Sequence, residues 1–333
     1  MKKIVFITGP DDNGQSKLSK KDKQIKLNIV GVLPLDLKKL NSAAIASNSQ
    51  FLVLGIHKGV NLPNGQSDIK FVNLIGDADA SDRSLKAIET LINDLSLTDI
   101  VNKLTDVYKT SRLSLQLLLG NIDNVRVAAS VSAQVNDIPE LISSIENSQM
   151  TYPVIIRLSG FHNSKYMKKI TTEHELDHIK DWFSISNNFI LMEYMVGLTV
   201  DGYYRKARIT VIDGEFYPQH LLSSEDWCVG VENRYKIMMN NASLRNDENI
   251  FLNSFKEEIY PKYKKPLQEI HKKIGLDIYG IDCFLKDNGE IVVFEANPCM
   301  DLLSMWLGPN KEYNYKIPHR AAVRDAIVQL LSS

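Results

Sequence analysis

Gly280–Pro298, with the sequence GIDCFLKDNGEIVVFEANP, has the pattern of a β-hairpin near the end of the chain. Two apolar runs flank Asn288-Gly289, a dipeptide that favours a two-residue turn because both of its residues readily adopt positive φ. If these two residues form the turn, Asp282 lies directly opposite Glu295, and Phe284 lies opposite Val293 on the same face. The hairpin therefore predicts a facing pair of carboxylates.

Facing carboxylates repel one another, since paired Cβ atoms are only about 4.5 to 5.5 Å apart. Asn297 lies two residues beyond Glu295 and points to the same face of the strand. The other face is also apolar, so the pair is expected to be buried and to need a counter-charge. A divalent cation supplies it, and oxygen ligands without a nearby His or Cys favour Mg²⁺, with Mn²⁺ possible. The alternative is a pair of solvated carboxylates on an edge hairpin.

The composition is that of an ordinary globular protein: 333 residues, 44% hydrophobic and 24% charged. A formal net charge of -1 gives no field that would attract nucleic acid or an anionic membrane, so neither is expected as a partner. Three widely spaced cysteines predict no disulfide framework and no zinc site. The first apolar run, Ile4–Ile7, is too short for a signal peptide, which predicts a cytoplasmic protein.

Short apolar runs alternate with helical patterns in the first part of the chain, which is typical of an open α/β sheet. The predicted strands are Lys3–Thr8, Gln50–Ile56 and Ile69–Ile75, and the predicted helix is Ser84–Leu95. The polar stretch Gly9–Lys26 predicts a surface loop.

The later segments continue the mixed α/β pattern, with Asp106–Leu119 predicted as one helix and Asp247–Ile274 as a long helical region. Apolar runs predict strands at Val125–Val131, Tyr152–Leu158 and Asn188–Tyr194, and Asp213-Gly214 predicts a second hairpin turn. We predict three parts: residues 1–105, 106–195 and 196–333.

Asp282, a hairpin, and then Glu295-Ala296-Asn297 resemble the metal-ligand signature of the ATP-grasp superfamily. Three further segments resemble other parts of that family in the family's order. They are YPVIIRLSGFHNSK (152–165), a strand leading into a phosphate loop, FILMEYMVG (189–197), an adenine-holding hinge strand, and YRKARITVIDGEFYPQH (204–220), a hairpin that carries an arginine. The resemblance covers residues 106–333 and implies an ATP-grasp fold preceded by the open α/β domain.

The resemblance also implies a role for each matching residue, with ATP and Mg²⁺ as cofactors. The implied metal ligands are Asp282, Glu295 and Asn297. The implied phosphate ligands are Arg112, Arg157 and Lys165, the implied adenine-binding residues are Glu193, Tyr194 and Met195, and Asp201 is the candidate for the ribose. Arg208 would face the phosphoryl group during transfer. From the residues alone, without the resemblance, a strand-end salt bridge is the favoured role for Arg157.

ATP-grasp enzymes mostly activate a carboxylate as an acyl phosphate and then join it to an amine. The resemblance therefore implies an ADP-forming carbon–nitrogen ligase whose substrate is a small molecule or a peptide with a carboxylate. Two alternatives stay open at this point. One is a kinase that transfers the γ-phosphate to a hydroxyl, and the other is a regulatory module that turns ATP over slowly. The single glycine in the loop SGFHNSK keeps the second alternative open, because the loop backbone can approach phosphates less freely.

Overall fold

Three main sheets and one small hairpin form the framework of the protein. The computed structural model describes residues 2–12, 16–21, 24–29, 35, 37–54, 69–97, 99–161, 164–195, 197–304 and 306–333. Its strands are β1 Lys3–Thr8, β2 Ser16–Lys21, β3 Gln24–Ile29, β4 Ser49–Val53, β5 Ile69–Asn73, β6 Ile100–Val101, β7 Val125–Val127, β8 Ser130–Gln134, β9 Val154–Leu158, β10 Met167–Ile170, β11 Asn188–Glu193, β12 Tyr204–Ile212, β13 Glu215–Ser224, β14 Ile278–Leu285 and β15 Ile291–Asn297.

The helices surround these sheets. They are α1 Leu37–Leu40, α2 Ala43–Asn48, α3 Asp82–Leu95, α4 Leu104–Tyr108, α5 Arg112–Leu119, α6 Ile138–Asn147, α7 Asn233–Lys236, α8 Ala242–Ser254, α9 Tyr260–Ile274 and α10 Ile317–Ser332. The other helical segments are Glu173–Ser184, Met238–Asn240 and Asn314–Lys316, all 3₁₀, and Phe255–Ile259, which is a π-helix between α8 and α9. Within the described part of the chain, none of the helices combines the length and apolarity needed to cross a bilayer.

The N-terminal sheet has the strand order β4-β1-β5-β6, and its strands are parallel. Ile4–Thr8 is buried along its whole length, as a parallel strand covered on both faces should be. The prediction of an open α/β sheet is thus confirmed. The predicted loop Gly9–Lys26 was wrong in part, because it contains the antiparallel hairpin of β2 and β3. β2 (SKLSKK) is too polar to show the apolar alternation from which a strand is predicted, whereas the alternation of Ile25, Leu27 and Ile29 in β3 was a strand signal that the prediction overlooked.

The small sheet has the order β10-β9-β11-β8 and is antiparallel, with α6 and the 3₁₀ helix Glu173–Ser184 packed on it. The large sheet has the order β13-β12-β14-β15-β7 and is antiparallel except for β7, which runs parallel to β15. One apolar core joins the N-terminal sheet, α5, α9 and the large sheet. The small sheet has a core of its own.

The hairpin of β14 and β15 pairs Asp282 with Glu295, as predicted, but by a different path. Its tip is a three-residue loop closed between Lys286 and Glu290, not a two-residue turn. That loop shifts the register by one residue, and a β-bulge after Asp282 shifts it back.

The bulge overturns the predicted pairing of Phe284 with Val293. Phe284 pairs with Val292, and Val293 pairs with Cys283 and lies in the core. Phe294, the extra residue of the bulge, points instead toward Gly197 on the side of the carboxylates.

The predicted helix Asp106–Leu119 is two helices, α4 and α5. Ser111 caps the second one, since its side-chain oxygen accepts a hydrogen bond from the backbone N–H of Ser114 at 3.1 Å. The break places Arg112 at the first residue of α5, where its side chain reaches the large sheet.

Asn102 fastens the end of the N-terminal sheet to the start of β14. It is fully buried and has a positive φ of 58°. Its amide nitrogen donates to the carbonyl of Ile278 at 2.9 Å, and its amide oxygen accepts from the N–H of Ile278 at 2.8 Å. One side chain therefore satisfies both backbone groups of the residue at which β14 begins.

Replacing Asn102 by Ala is expected to lower the free energy of unfolding by about 2 to 4 kcal/mol, because two backbone groups of Ile278 are left buried without partners. Asn124→Ala is the matched control. Asn124 also has a positive φ, of 60°, but it is exposed. Urea denaturation measures both, and equal losses in the two variants would show that φ and not the buried amide sets the cost.

Candidate functional site

Asp282 lies at the centre of a cluster of charged side chains on the large sheet. It is 2% exposed and pairs in register with Arg208 of β12. Arg208 donates from Nε to Oδ1 at 2.5 Å and from Nη2 to Oδ2 at 2.9 Å, which is a two-point grip. The Nζ atom of Lys206, on the same face of β12, lies 2.9 Å from Oδ2. Both oxygens of the carboxylate are thus bound by cations.

The electrostatic balance keeps Asp282 ionised. Burial by itself raises the pKa of its carboxyl, but Arg208 and Lys206 outweigh burial and hold that pKa far below its usual range. Burial likewise acts to lower the pKa of Arg208, and the charge of Asp282 reverses the effect and raises it. The counter-charge that we predicted to come from a divalent cation is supplied in this structure by side chains.

Glu295, opposite Asp282, binds a different arginine. Its Oε1 atom accepts hydrogen bonds from Arg112 Nη2 at 3.0 Å and from Asn297 Nδ2 at 2.8 Å. The other arm of Arg112, Nη1, bonds to Asp79 Oδ2 at 2.7 Å. Asp79 follows the carboxyl end of β5, so Arg112 joins the N-terminal sheet to the hairpin.

Arg157 is a buried cation without an acidic partner. It is the next-to-last residue of β9 and is 7% exposed. It makes no ion pair with any residue that the structure describes. Its guanidinium donates to the carbonyl oxygen of Phe161, while its Nε has no partner. Burial and the charge of Arg112 lower the pKa of Arg157 to about 10, although Glu295 acts in the opposite direction. Arg157 therefore faces the charged cluster from the small sheet, and the salt-bridge alternative finds no partner.

The loop after β9 carries Lys165, which is exposed and stacks over two rings. Its Nζ lies 5.5 Å from the ring centre of Phe161 and 4.9 Å from that of Tyr166. Cys228 donates from Sγ to Ser164 Oγ at 3.3 Å, so the loop touches the segment beyond β13. Residues 162 and 163 of the predicted phosphate loop lie outside the described residues.

A narrow cavity of about 10 Å³, room for one water molecule, lies between the small and large sheets. Its lining combines apolar side chains with polar and charged ones. It is lined by Thr110, Arg112, Leu115, Val127, Ala128, Ser130, Met192, Phe294 and Glu295.

The predicted adenine-binding residues lie at the end of β11, next to this cavity. Glu193 bonds to Arg126 of β7 and accepts from the backbone N–H of Ala129 at 3.3 Å. Tyr194 packs edge-on against Trp227 at 6.1 Å, and Lys169 lies over its ring at 4.8 Å. Met195 is half-buried.

Asp201, the predicted ribose-binding residue, makes no hydrogen bond with the other predicted site residues among those that the structure describes. It is exposed, in the turn before β12, and it bonds to Thr199 and Arg205. Its assignment to a ribose stays a prediction.

Sequence reasoning missed Asp79, Lys206 and the apolar wall residues Met192 and Phe294. Lys206 lies two residues before Arg208 and had a visible signal, since alternate residues of a strand share a face. The signal for Asp79 was weaker, namely that it follows a strand of a parallel sheet. The positions of Met192 and Phe294 depend on how two sheets meet and on a bulge, which no local pattern reports.

The donor set of Asp282, Glu295 and Asn297 fits a hard divalent cation, because it consists of two carboxylates and one amide oxygen without His or Cys. Glu295 Oε2 has no hydrogen bond to any described residue. Asn297 Oδ1 accepts one, from the N–H of Cys299 at 2.9 Å. Across the described chain, there is no cluster of three Asp, Glu, His or Cys side chains that would hold a metal by itself. The amide and a ligand oxygen would have to complete the shell.

Comparisons by sequence find no matching protein family and no matching curated protein. Solved structures do match. D-alanine–D-alanine ligase from Bacillus anthracis, complexed with ATP, superposes with a TM-score of 0.53 at 10% identity and covers 98% of this chain and 99% of its own. A RimK domain ATP-grasp protein from Sphaerobacter thermophilus gives 0.51 at 10% identity, over 97% and 99%. Carboxyaminoimidazole ribonucleotide synthase from Aspergillus clavatus, with ATP, gives 0.50 at 10%, over 89% and 70%. The ATP-grasp fold that the resemblance predicted is confirmed.

Arg157 and Arg208 allow a matched test of which arginine stabilises the fold. Arg208→Met should lower the free energy of unfolding by about 3 kcal/mol, since it removes one partner of a buried ion pair. Arg157→Met should leave it unchanged or raise it, because no carboxylate loses a partner. Chemical denaturation of the nucleotide-free protein measures both, and a large loss for Arg157→Met would assign Arg157 to structure.

Proposed function

We propose that this protein is an ATP-dependent ligase that activates a carboxylate as an acyl phosphate and joins it to an amine, with release of ADP and phosphate. The observation that carries the proposal is the facing pair of Asp282 and Glu295, set among Arg208, Arg112 and the unpaired Arg157 in an ATP-grasp fold. The structural neighbours include a ligase and a synthase with ATP. Because the sequence identity to these structures is only 10%, the activity is inferred from the residues of the site.

We assign the nucleotide to the cleft between the small and large sheets, which would have to widen around this cavity to admit it. Its apolar wall would take the adenine, with the end of β11 (Glu193, Tyr194 and Met195) at its edge and Asp201 as the candidate for the ribose. The phosphates would then lie toward Arg112 and Arg157, with Lys165 and its loop above them. Arg157 supports this assignment most directly, because a buried guanidinium without a carboxylate is matched by a phosphate.

Mg²⁺ would be held by Asp282, Glu295 and Asn297, and it would neutralise negative charge on the phosphate oxygens. To expose Asp282, Arg208 and Lys206 must turn from its carboxylate toward the nucleotide. Both side chains lie within hydrogen-bond distance of Asp282 in this structure, so Mg²⁺ would have to displace them. The same two cations would then face the phosphoryl group that is transferred.

The reaction has two steps. A carboxylate oxygen of the acid substrate attacks the γ-phosphorus, the bond from the γ-phosphorus to the bridging oxygen breaks, and ADP leaves. The amine then attacks the acyl carbon, phosphate leaves, and the amine loses a proton. Arg208 would stabilise the charge on the transferred group, and such a preorganised charge typically contributes a factor of about 10² to 10³ in rate.

Glu295→Gln is expected to lower turnover by a factor of about 10² to 10³ and to weaken binding of Mg-ATP, because one carboxylate of the site loses its charge. Glu290→Gln is the matched control. Glu290 lies in the same hairpin and pairs only with Lys286 at its tip. Calorimetry with Mg-ATP and an assay of ADP release measure both variants. Unchanged affinity and turnover in Glu295→Gln would show that the metal site is wrongly assigned.

Hydroxylamine tests the reaction class. If an acid is supplied with ATP but without its acceptor amine, hydroxylamine should trap the acyl phosphate as a hydroxamate and ADP should accumulate. A kinase would give ADP and a stable phosphorylated product without hydroxamate. A regulatory module would release no ADP above background with pools of amino acids, peptides and other acids. AMP and pyrophosphate would contradict the proposal, since they require attack at the α-phosphate.

A further inference from the structure

A second cavity, of about 10 Å³, lies between β13 and the start of α10, apart from the site described above, and it admits one water-sized group such as one oxygen atom of an anion. It is lined by Pro218, Gln219, Lys316, His319, Arg320 and Val323. Gln219 Oε1 accepts a hydrogen bond of 2.8 Å from Thr210, which lies two residues along β12 from Arg208. Because alternate residues of a strand share a face, this cavity and Arg208 lie on the same side of the large sheet.

Lys316 and Arg320 bring two buried positive charges to this cavity. They are 5% and 8% exposed, and their spacing of four residues places them on one side of the helix start. Neither side chain makes an ion pair or hydrogen bond with a residue of the described chain, and Arg320 Nη1 is buried without any partner. The Nζ of Lys316 lies 5.9 Å from the ring centre of Tyr313. Buried cations in proteins are normally paired.

The carboxylates around them already have partners. Glu248 binds Arg234 through both oxygens, at 2.8 and 2.9 Å, and also accepts from Tyr315 at 2.7 Å. Asp301 accepts from the backbone N–H of Ser304 at 2.7 Å, and its other oxygen lies 3.8 Å from Lys39. Glu248 and Asp301 therefore act on Lys316 and Arg320 only across a gap, and within the described chain neither carboxylate bonds directly to either cation.

The helix adds to that charge. Lys316 is the residue before the first turn of α10 and Arg320 follows that turn, which contains no acidic residue. The start of a helix carries a partial positive charge, so cations are destabilising there and anions are stabilising. On the neighbouring strand, His220 is 7% exposed, and its Nε2 has no partner.

The pKa values of Lys316 and Arg320 reflect their burial close to other positive charges. Burial and the charge of Arg234 lower the pKa of Lys316 to about 7. Burial chiefly, with the charges of Arg234 and Arg208, lowers the pKa of Arg320 to about 10, although Asp301 acts in the opposite direction. A negatively charged group in the cavity would remove this penalty on both cations.

We infer that the cavity lined by Lys316 and Arg320 binds an oxyanion group of the substrate, a carboxylate or a phosphate, distinct from the carboxylate that is activated. The assignment of that group to the substrate rests on the proposed ligase function, whereas the anion site itself does not. The guanidinium of Arg320 would donate to the oxyanion, and the ammonium of Lys316 and the start of α10 would neutralise it. The substrate would then carry at least two negatively charged groups, as a dicarboxylic acid or a phosphorylated acid does.

The test is the binding of malonate and of inorganic phosphate to the nucleotide-free protein, measured by calorimetry at an ionic strength held constant with chloride. Wild type should bind one of the two anions, and Lys316→Met and Arg320→Met should each weaken that binding at least about tenfold, since each removes a charge-assisted contact. Preference for malonate assigns the group as a carboxylate, and preference for phosphate assigns it as a phosphate.

Two control variants separate this site from other positive charge. Arg324→Met removes an arginine one turn further along α10 that pairs with Asp325, and it should bind the anion as wild type does. Arg157→Met removes the cation that we assign to the nucleotide phosphates, so anion binding that is lost in this variant belongs to the nucleotide site and not to the cavity at α10. Absence of binding to wild type, or equal affinities in Lys316→Met, Arg320→Met and wild type, would overturn the inference.

Binding of Mg-ATP to wild type, measured in the same way, keeps the two proposals distinguishable. Anion binding that depends on Lys316 without any binding of Mg-ATP would leave the anion site standing and reject the ligase. Binding of Mg-ATP with an anion response that is unchanged in both methionine variants would reject only the anion site.

Discussion

Asp282 and Glu295 occupy paired positions on neighbouring strands, where their negative charges repel, and the surrounding structure compensates that repulsion. Arg208 and Lys206 neutralise one carboxylate from β12, within the same sheet. Arg112 neutralises the other from α5, a helix that begins only because Ser111 interrupts the preceding one. Cations from a strand of the large sheet and from a helix thus meet at the two carboxylates.

The parts of the site that lie in one continuous segment were predictable from the sequence. Asp282, Glu295 and Asn297 belong to a single hairpin, and a turn dipeptide with alternating residues suffices to place them on one face. Arg157 was predictable in the same way, as the charged residue near the end of an apolar strand. The predicted pairing was nevertheless reached through a two-residue turn that does not form. The three-residue loop and the bulge each move the register by one residue, in opposite directions, so their effects cancel at Asp282 and differ at Phe294.

The remaining parts depend on contacts between distant segments. Asp79 reaches Arg112 because the N-terminal sheet and the large sheet share one core, and no local pattern indicates which acid will meet which arginine. Met192 and Phe294 meet across two sheets with separate strand orders. Lys316 and Arg320 are an instructive case, because in the sequence they look like solvated helix residues. Only the packing of α10 on β12 and β13 shows that they are buried.

Arg112 has a consequence for communication within the molecule. Its two arms hold Asp79 and Glu295, carboxylates from two different sheets. A ligand that takes the Nη2 arm competes with Glu295 for Arg112, and because the same guanidinium holds Asp79, the ligand also changes the strength of that second bond. Occupancy of the cavity and the geometry of the segment after β5 are then thermodynamically linked, and the linkage is reciprocal. A substitution at Asp79 then changes the affinity for that ligand although Asp79 does not touch the ligand. Conversely, the ligand changes the free energy of the contact between Arg112 and Asp79 by the same amount.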